Sequence, residues 1–310
     1  MPWPETAEER DRARAERVEV VRAPDGDLVA IVTPPAPGTP PAGLAVVHLT
    51  RPRSHRNRDW VRGARWLAAR GFAACRFDYH GNGDSTGSNG FLDPSAPNQS
   101  DLMAILRTLR DLGVAERFVL TGSCFDARTA LSAMLAEPDW IRGIAFVSAP
   151  VMSLDTMREL RNARGKWEGV WQAMQNRDNW KRLADRELWK NVESRLRGLG
   201  RAAGEPSSAG EGPPLDPNFV SAFEALVRSR ARALFLYGEA DQEFLTFQGA
   251  LQRLWPRLED GARERLEVEI WPGSVHDGFN RIDRQKEIVE RVLDWVAAFH
   301  PAARPAGARS

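Results

Sequence analysis

The stretch Phe118-Val-Leu-Thr-Gly-Ser-Cys-Phe-Asp-Ala127 constrains this chain more than any other. Residues 118–120 are an apolar run that reads as a short buried strand. Gly122 permits a sharp turn. Cys124 falls at the tip of that turn, and residues 127–136 have helix-forming composition. A strand, a tight turn with a nucleophile at its apex and a helix make a recognisable unit. The rest of the chain must supply the sheet and the partner residues that such a unit needs.

Upstream, residues 19–21 and 28–32 are β-branched runs on either side of Pro24-Asp-Gly-Asp27, which predicts a β-hairpin. A Pro-rich connection, 34–41, leads to an apolar strand at 44–49. Residues 50–58 are a basic loop. Trp60, Ala64, Leu67 and Ala68 mark a helix that Gly71 ends. A strand at 72–77 runs into a turn-rich loop, 78–87. Leu102, Ile105, Leu106, Leu109 and Leu112 then mark the next helix, and 141–147 is a further strand. The alternation of strand and helix predicts an α/β protein, with a mostly parallel sheet flanked by helices.

That alternation breaks at 151–217. This stretch carries Trp167, Trp171, Trp180 and Trp189 among charged residues, then a Gly/Pro/Ser/Ala-rich run at 201–218. It predicts an inserted helical lid with a mobile loop, over the crevice at the carboxyl end of the sheet. A helix at 219–229, strands at 233–237 and 266–271 and a final helix at 288–299 complete the core. The expected organisation is a core of 18–150 and 218–300, a lid of 151–217, and termini of 1–17 and 301–310, with a short surface helix in the first of these.

Formal net charge is +1, which argues against a nucleic-acid partner. The first residues lack the apolar segment of a signal peptide, and no apolar run reaches the ~20 residues needed to span a bilayer. The expectation is a soluble, cytoplasmic protein with no membrane partner. Cys75 and Cys124 are the only cysteines. They allow one disulfide but not a secreted framework. No Cys/His pair has metal-ligand spacing, and neither a dinucleotide fingerprint nor a Walker lysine motif is present, so no metal or other cofactor is expected.

The elbow at Gly122-Ser-Cys-Phe-Asp126, the segment Arg76-Phe-Asp-Tyr-His-Gly-Asn-Gly-Asp-Ser85, Gly238-Glu-Ala-Asp241 after a strand and Gly273-Ser-Val-His276 after the last strand together resemble the α/β-hydrolase fold. The resemblance covers about 18–300. The family elbow is Gly-x-Ser-x-Gly, and here it reads Gly-x-Cys-x-Asp. Cysteine at this place is similar to the dienelactone-hydrolase branch, whose elbow ends in Gly, and to acyl-chain-releasing enzymes of secondary metabolism. The family order of nucleophile, acid and histidine implies Cys124, Asp241 and His276.

Physical chemistry points to the same trio. A thiol needs a base or a cation to act as thiolate. The start of a helix presents its positive end to Cys124. His276, in a Gly-rich loop past a strand, suits proton transfer, and Asp241 suits holding its imidazole. Ser123 is the rival nucleophile, but it would put Phe125 where an elbow needs a small residue. Asp155 and Glu239 are rival acids. His48, His55, His80 and His300 are rival histidines, with His80 also a candidate substrate contact. The oxyanion hole is expected from the backbone N–H groups of Phe125 and of Thr50 or Arg51. Arg51 and Arg53 are candidates for an anionic substrate group, such as a carboxylate or a phosphopantetheine-like phosphate. Trp167 and Trp171 are candidate substrate contacts from the lid.

Asp126 is the odd residue. It is expected to crowd the elbow and to pair with Arg128 or the helix dipole, or else to orient a substrate donor. The expected activity is cysteine-dependent cleavage of an acyl ester, lactone or thioester, on a small-molecule substrate that is free or carrier-protein-bound. The alternatives are an acyltransferase or Dieckmann-type cyclase working through the same acyl-enzyme, and a non-catalytic binding protein on the same scaffold.

Overall fold

The computed structural model describes residues 15–54, 58–88, 98–152, 215–254, 258, 260–273 and 282–300. Eight strands form one sheet: β1 (Arg17–Ala23), β2 (Gly26–Thr33), β3 (Leu44–Leu49), β4 (Ala73–Phe77), β5 (Arg117–Ser123), β6 (Ile141–Val147), β7 (Arg232–Gly238) and β8 (Leu266–Trp271). Their spatial order is β1-β2-β4-β3-β5-β6-β7-β8. The hairpin predicted around Asp25-Gly26 is present, with Ala23 opposite Gly26, and β2 joins β4 antiparallel. All other neighbours pair parallel. The expected α/β architecture is therefore the observed one.

Seven α-helices lie among the described residues: α1 (Asp59–Ala68), α2 (Gln99–Asp111), α3 (Phe125–Ala136), α4 (Pro217–Arg228), α5 (Gln242–Leu254), α6 (Asp260–Arg263) and α7 (Ile282–Ala297). Strand residues alternate between the two faces of the sheet, and each face has its own core. Val46, Val119, Leu234 and Leu236 pack with Trp60, Leu67, Val292 and Val296 of α1 and α7. Val47, Leu120, Phe146 and Phe235 pack on the opposite face with α2, α3, α4 and α5.

Helix α5 was not expected from the sequence. Phe244, Phe247, Ala250 and Leu254 recur at helical spacing and are buried. The Phe247 ring stacks at 4.7 Å on both Phe235 and Tyr237. The last helix also starts earlier than the apolar pattern suggested, at Ile282.

The predicted lid falls almost wholly outside the described residues, as do the predicted surface helix and the final tail. Its two ends are described. Met152 and Leu215 form an isolated antiparallel bridge, and Asp216 N donates to Val151 O at 3.0 Å. Arg128 of α3 pairs with Asp216 and donates to Met152 O at 3.3 Å. The chain thus departs after β6 and rejoins before α4 at one place. Among the described residues, no helix is long and apolar enough to cross a membrane.

Candidate active site

The parallel strands β3 to β8 all run the same way, so their carboxyl ends share one edge of the sheet. Backbone hydrogen bonds tie successive exits together there. Cys124 N donates to Val147 O at 2.8 Å, Ser148 N to Leu236 O at 2.9 Å, and Glu239 N to Trp271 O at 2.9 Å. The backbone exits of β5, β6, β7 and β8 are therefore joined into a continuous rim.

Cys124 sits between the last residue of β5 and the first of α3, as the N-cap of that helix, with φ 52° and ψ −127°. An L-residue rarely adopts this conformation, and here it persists because strand and helix both fix it. Ser123, the rival nucleophile, lies within β5 opposite Val147, in ordinary strand register. The apex belongs to Cys124, whose side chain is half-buried. Gly122 makes the turn sterically feasible. A Cβ there would lie 2.7 Å from Ala127 N and 2.8 Å from Asp126 C and O. The other cysteine, Cys75, is fully buried in β4, and burial pushes its thiol up to about 12. Both cysteines are free, so the disulfide that the sequence allowed is not formed.

Asp126 lies in the first turn of α3, the helix-dipole setting expected of it, but departs from expectation in two other ways. It does not crowd the elbow: close packing falls on Gly122, while the Asp126 carboxylate reaches the loop after β3. There it accepts from Arg51 Nε at 3.0 Å. It pairs with Arg51, and Arg128 pairs with Asp216. The Arg51 guanidinium also lies 4.5 Å above the ring of Tyr79, a cation–π contact. Tyr79 is buried, and burial together with the Asp126 carboxylate raises its phenol well above the ordinary value.

Arg53 turns away from Arg51. Its side chain pairs with Asp78 and, at 2.5 Å, with Asp84, and its backbone N donates to Asp78 Oδ1 at 2.9 Å. His80 is likewise engaged: Nδ1 lies 2.7 Å from Asp101 Oδ1 and Nε2 lies 3.2 Å from Gly26 O. Both residues join core elements to one another. Thr50 is buried, and its hydroxyl donates to Pro52 O at 3.3 Å. His48 is fully buried, stacks on Trp60 at 4.5 Å and holds Thr121 Oγ1 at 2.7 Å through Nδ1. Burial, aided by Arg76, lowers its imidazole to about 3.

Asp241 lies three residues beyond β7 and is buried. Its Oδ1 accepts from Glu243 N at 2.9 Å at the start of α5. One carboxylate oxygen is therefore fixed by the backbone, which sets the orientation of the other. Glu239, in the same turn, accepts from Gly273 N at 2.9 Å through its side chain. This bond ties the Asp241 turn to the residue three before His276 in the sequence. His276, Asp155, His55, Trp167 and Trp171 lie outside the described residues. Among the described residues, no group of His, Cys, Asp and Glu side chains is arranged to hold a metal ion.

What sequence reasoning missed is the Arg51–Asp126 pair. The signal was there in the two departures themselves: an unexpected cation after β3 and an unexpected anion after the elbow.

A family model described as serine aminopeptidase, S33, matches residues 46–185. No curated protein sequence matches the chain. Among solved structures, a haloalkane dehalogenase from Agrobacterium tumefaciens C58 is similar, with TM-score 0.55 and 15% identity over 92% of this chain and 97% of that one. A monoacylglycerol lipase from Paleococcus ferrophilus has TM-score 0.51 and 20% identity, over 84% and 96% of the two chains. A protein from Xanthomonas campestris, described as an α/β serine hydrolase without lid, has TM-score 0.50 and 16% identity over 90% and 94%. The chain has the α/β-hydrolase fold.

Proposed function

We propose that this protein is a cysteine-dependent hydrolase that cleaves an acyl ester, lactone or thioester through an acyl-Cys124 intermediate. The observation that carries this reading is the strained apex conformation at Cys124, on a fold similar to those of a monoacylglycerol lipase and a serine hydrolase. The residue at the apex of the turn is a thiol in this chain, and the nearby Ser123 belongs to the strand.

Cys124 Sγ, as thiolate, attacks the acyl carbon. The carbonyl π pair moves onto oxygen and gives an oxyanion. The backbone N–H groups of Phe125 and of Thr50 or Arg51 receive that oxyanion. Its collapse expels the alkoxide or thiolate leaving group, which takes a proton from the His276 imidazolium. Water then attacks the acyl-thioester while His276 takes its proton, and collapse returns the Cys124 thiolate and a carboxylic acid. Asp241 orients His276 and stabilises its charged form. Ester or thioester chemistry suits a thiolate nucleophile, because an amine leaves a tetrahedral intermediate far less readily than an alcohol or thiol.

Intact-mass measurement across a panel of acyl esters, lactones and thioesters tests the reading. Wild type is expected to gain one acyl mass, while Cys124→Ala gains none. His276→Ala is expected to acylate slowly. Full turnover in Cys124→Ala removes the mechanism.

A further inference from the structure

The two parts of the proposed oxyanion hole come from different places in the chain. One is the first residue of α3, Phe125. The other is the loop after β3, at Thr50 or Arg51. Their relative position decides whether two N–H groups converge on one oxygen. The β3–β5 ladder aligns the strands as far as Leu49 opposite Gly122. Beyond that point, the side-chain bond from Arg51 to Asp126 spans the gap.

We propose that Asp126 and Arg51 form a clasp that positions the oxyanion loop against the elbow, so that Asp126 is a positioning residue for acyl transfer rather than a substrate contact. The proposal rests on the acyl-Cys124 reading given above.

Three observations carry it. First, the bond joins the residue that follows Phe125 to one of the two residues offering the second N–H, so it acts on the parts that must converge. Second, the clasp is seated. Asp126 has 11% of its side chain exposed, and the Arg51 guanidinium lies over the Tyr79 ring at 4.5 Å. Tyr79 is itself buried and packs edge-on against Phe77 of β4 at 4.8 Å. Third, the position can hold a carboxylate because the tight approach of α3 to β5 is absorbed by Gly122. The charge of Asp126, facing Arg51 and Tyr79, is balanced by the Arg51 guanidinium. The Arg51 side chain is 27% exposed, so the clasp lies at the rim of the core.

A positioning role makes a distinct kinetic prediction. Stabilisation of an oxyanion is felt in the transition state and not in the bound ester. The test follows acylation by p-nitrophenyl butyrate in wild type, Asp126→Asn, Arg51→Ala, the double variant, Arg51→Lys and Cys124→Ala. Intact mass and p-nitrophenolate release are both read. Removing an oxyanion donor costs on the order of a hundred-fold or more, so loosening one should cost about ten- to a hundred-fold in kcat. That loss is expected in Asp126→Asn and in Arg51→Ala, with KM within about two-fold of wild type. The double variant should be no worse than the poorer single one, because both remove the same bond. Arg51→Lys should recover part of the rate. Iodoacetamide labelling of Cys124 forms no oxyanion, so its rate should stay within about two-fold in both single variants.

Wild-type rates in Asp126→Asn, multiplicative losses in the double variant, or a raised KM at constant kcat overturn the clasp alone. Failure of wild type to acylate, or full acylation in Cys124→Ala, overturns the acyl-enzyme reading and the clasp with it. Urea unfolding midpoints of every variant separate these outcomes from loss of fold.

Discussion

The exits of β4 and β5 flank the exit of β3, and both are short, polar turns that depend on a glycine. After β4, charge is spent on structure. Asp78 receives Arg53 through backbone and side chain, and His80 links Asp101 of α2 to the Gly26 carbonyl of the hairpin. Ser85 Oγ donates to Asp78 O at 2.7 Å and accepts from Val29 N at 2.8 Å. The turn is a joint among the hairpin, α2 and the loop after β3. After β5, the backbone holds the apex itself, through Val147 O and the packing of Gly122, and the side-chain bond to Arg51 comes from Asp126 rather than from the apex residue. The Cys124 side chain is left half-exposed. The two cysteines repeat the contrast: Cys75 in β4 is sealed in the core, and Cys124 stands at the tip of its turn. A turn in this sheet leaves its apex side chain open when that side chain is not needed to hold the turn together.

The sharpest way to break that comparison is to remove each side chain in turn. Cys124→Ala should lower turnover by at least ~10³-fold, while the unfolding free energy from urea melts stays within about 0.5 kcal/mol of wild type. Turnover assays and urea melts on one preparation check both halves.

Between the two turns, β3 carries its own pH dependence through His48. Its imidazole falls from 6.5 to about 3 on folding, so the unfolded chain takes up the proton that the folded chain refuses. Stability from this site is intact above pH 6.5 and declines as pH falls toward 3, by about 3 kcal/mol at pH 4. Urea melts at pH 7, 5 and 4 should show a steeper decline in wild type than in His48→Phe.

Gly83→Ala should cost about 2 kcal/mol, since a Cβ there meets the Asp78 carboxylate and φ is +56°. Iodoacetamide labelling of Cys124 should persist in that variant, because the β4 turn serves the fold. His80→Ala leaves the buried Asp101 without its ring partner and should cost about 1–2 kcal/mol, with KM within about two-fold. A several-fold rise in KM would make His80 a substrate contact after all. The smallest effect is a count: native protein should titrate one thiol with a disulfide reagent, and urea-unfolded protein both.

The sheet was legible because the inner parallel strands, β3 to β7, are buried on both faces and so read as apolar runs, as at 44–49 and 118–120. The elbow was legible because Gly122 and Cys124 have local meanings. Helix α5 was not, because its aromatic residues suit a helix or a strand equally until Phe235 and Tyr237 are seen beneath them. The partner of Asp126 was hidden for a different reason. Arg51 lies 75 positions away, and only the parallel pairing of β3 with β5 brings it near. Local charge favoured Arg128, which the fold commits instead to Asp216. Arg53 and His80 looked like free polar groups for the same reason, since Asp78, Asp84 and Asp101 reach them only through tertiary structure.

The bridge between Met152 and Leu215 has a consequence for how this chain can change. Both ends of the intervening segment are anchored at a single point, and Arg128 braces that point from the elbow helix. The path from β6 to α4 is thus already closed without the residues between. Whatever sequence is spliced in at this junction inherits a fixed doorway braced from α3, and the sheet does not have to be redesigned to receive it.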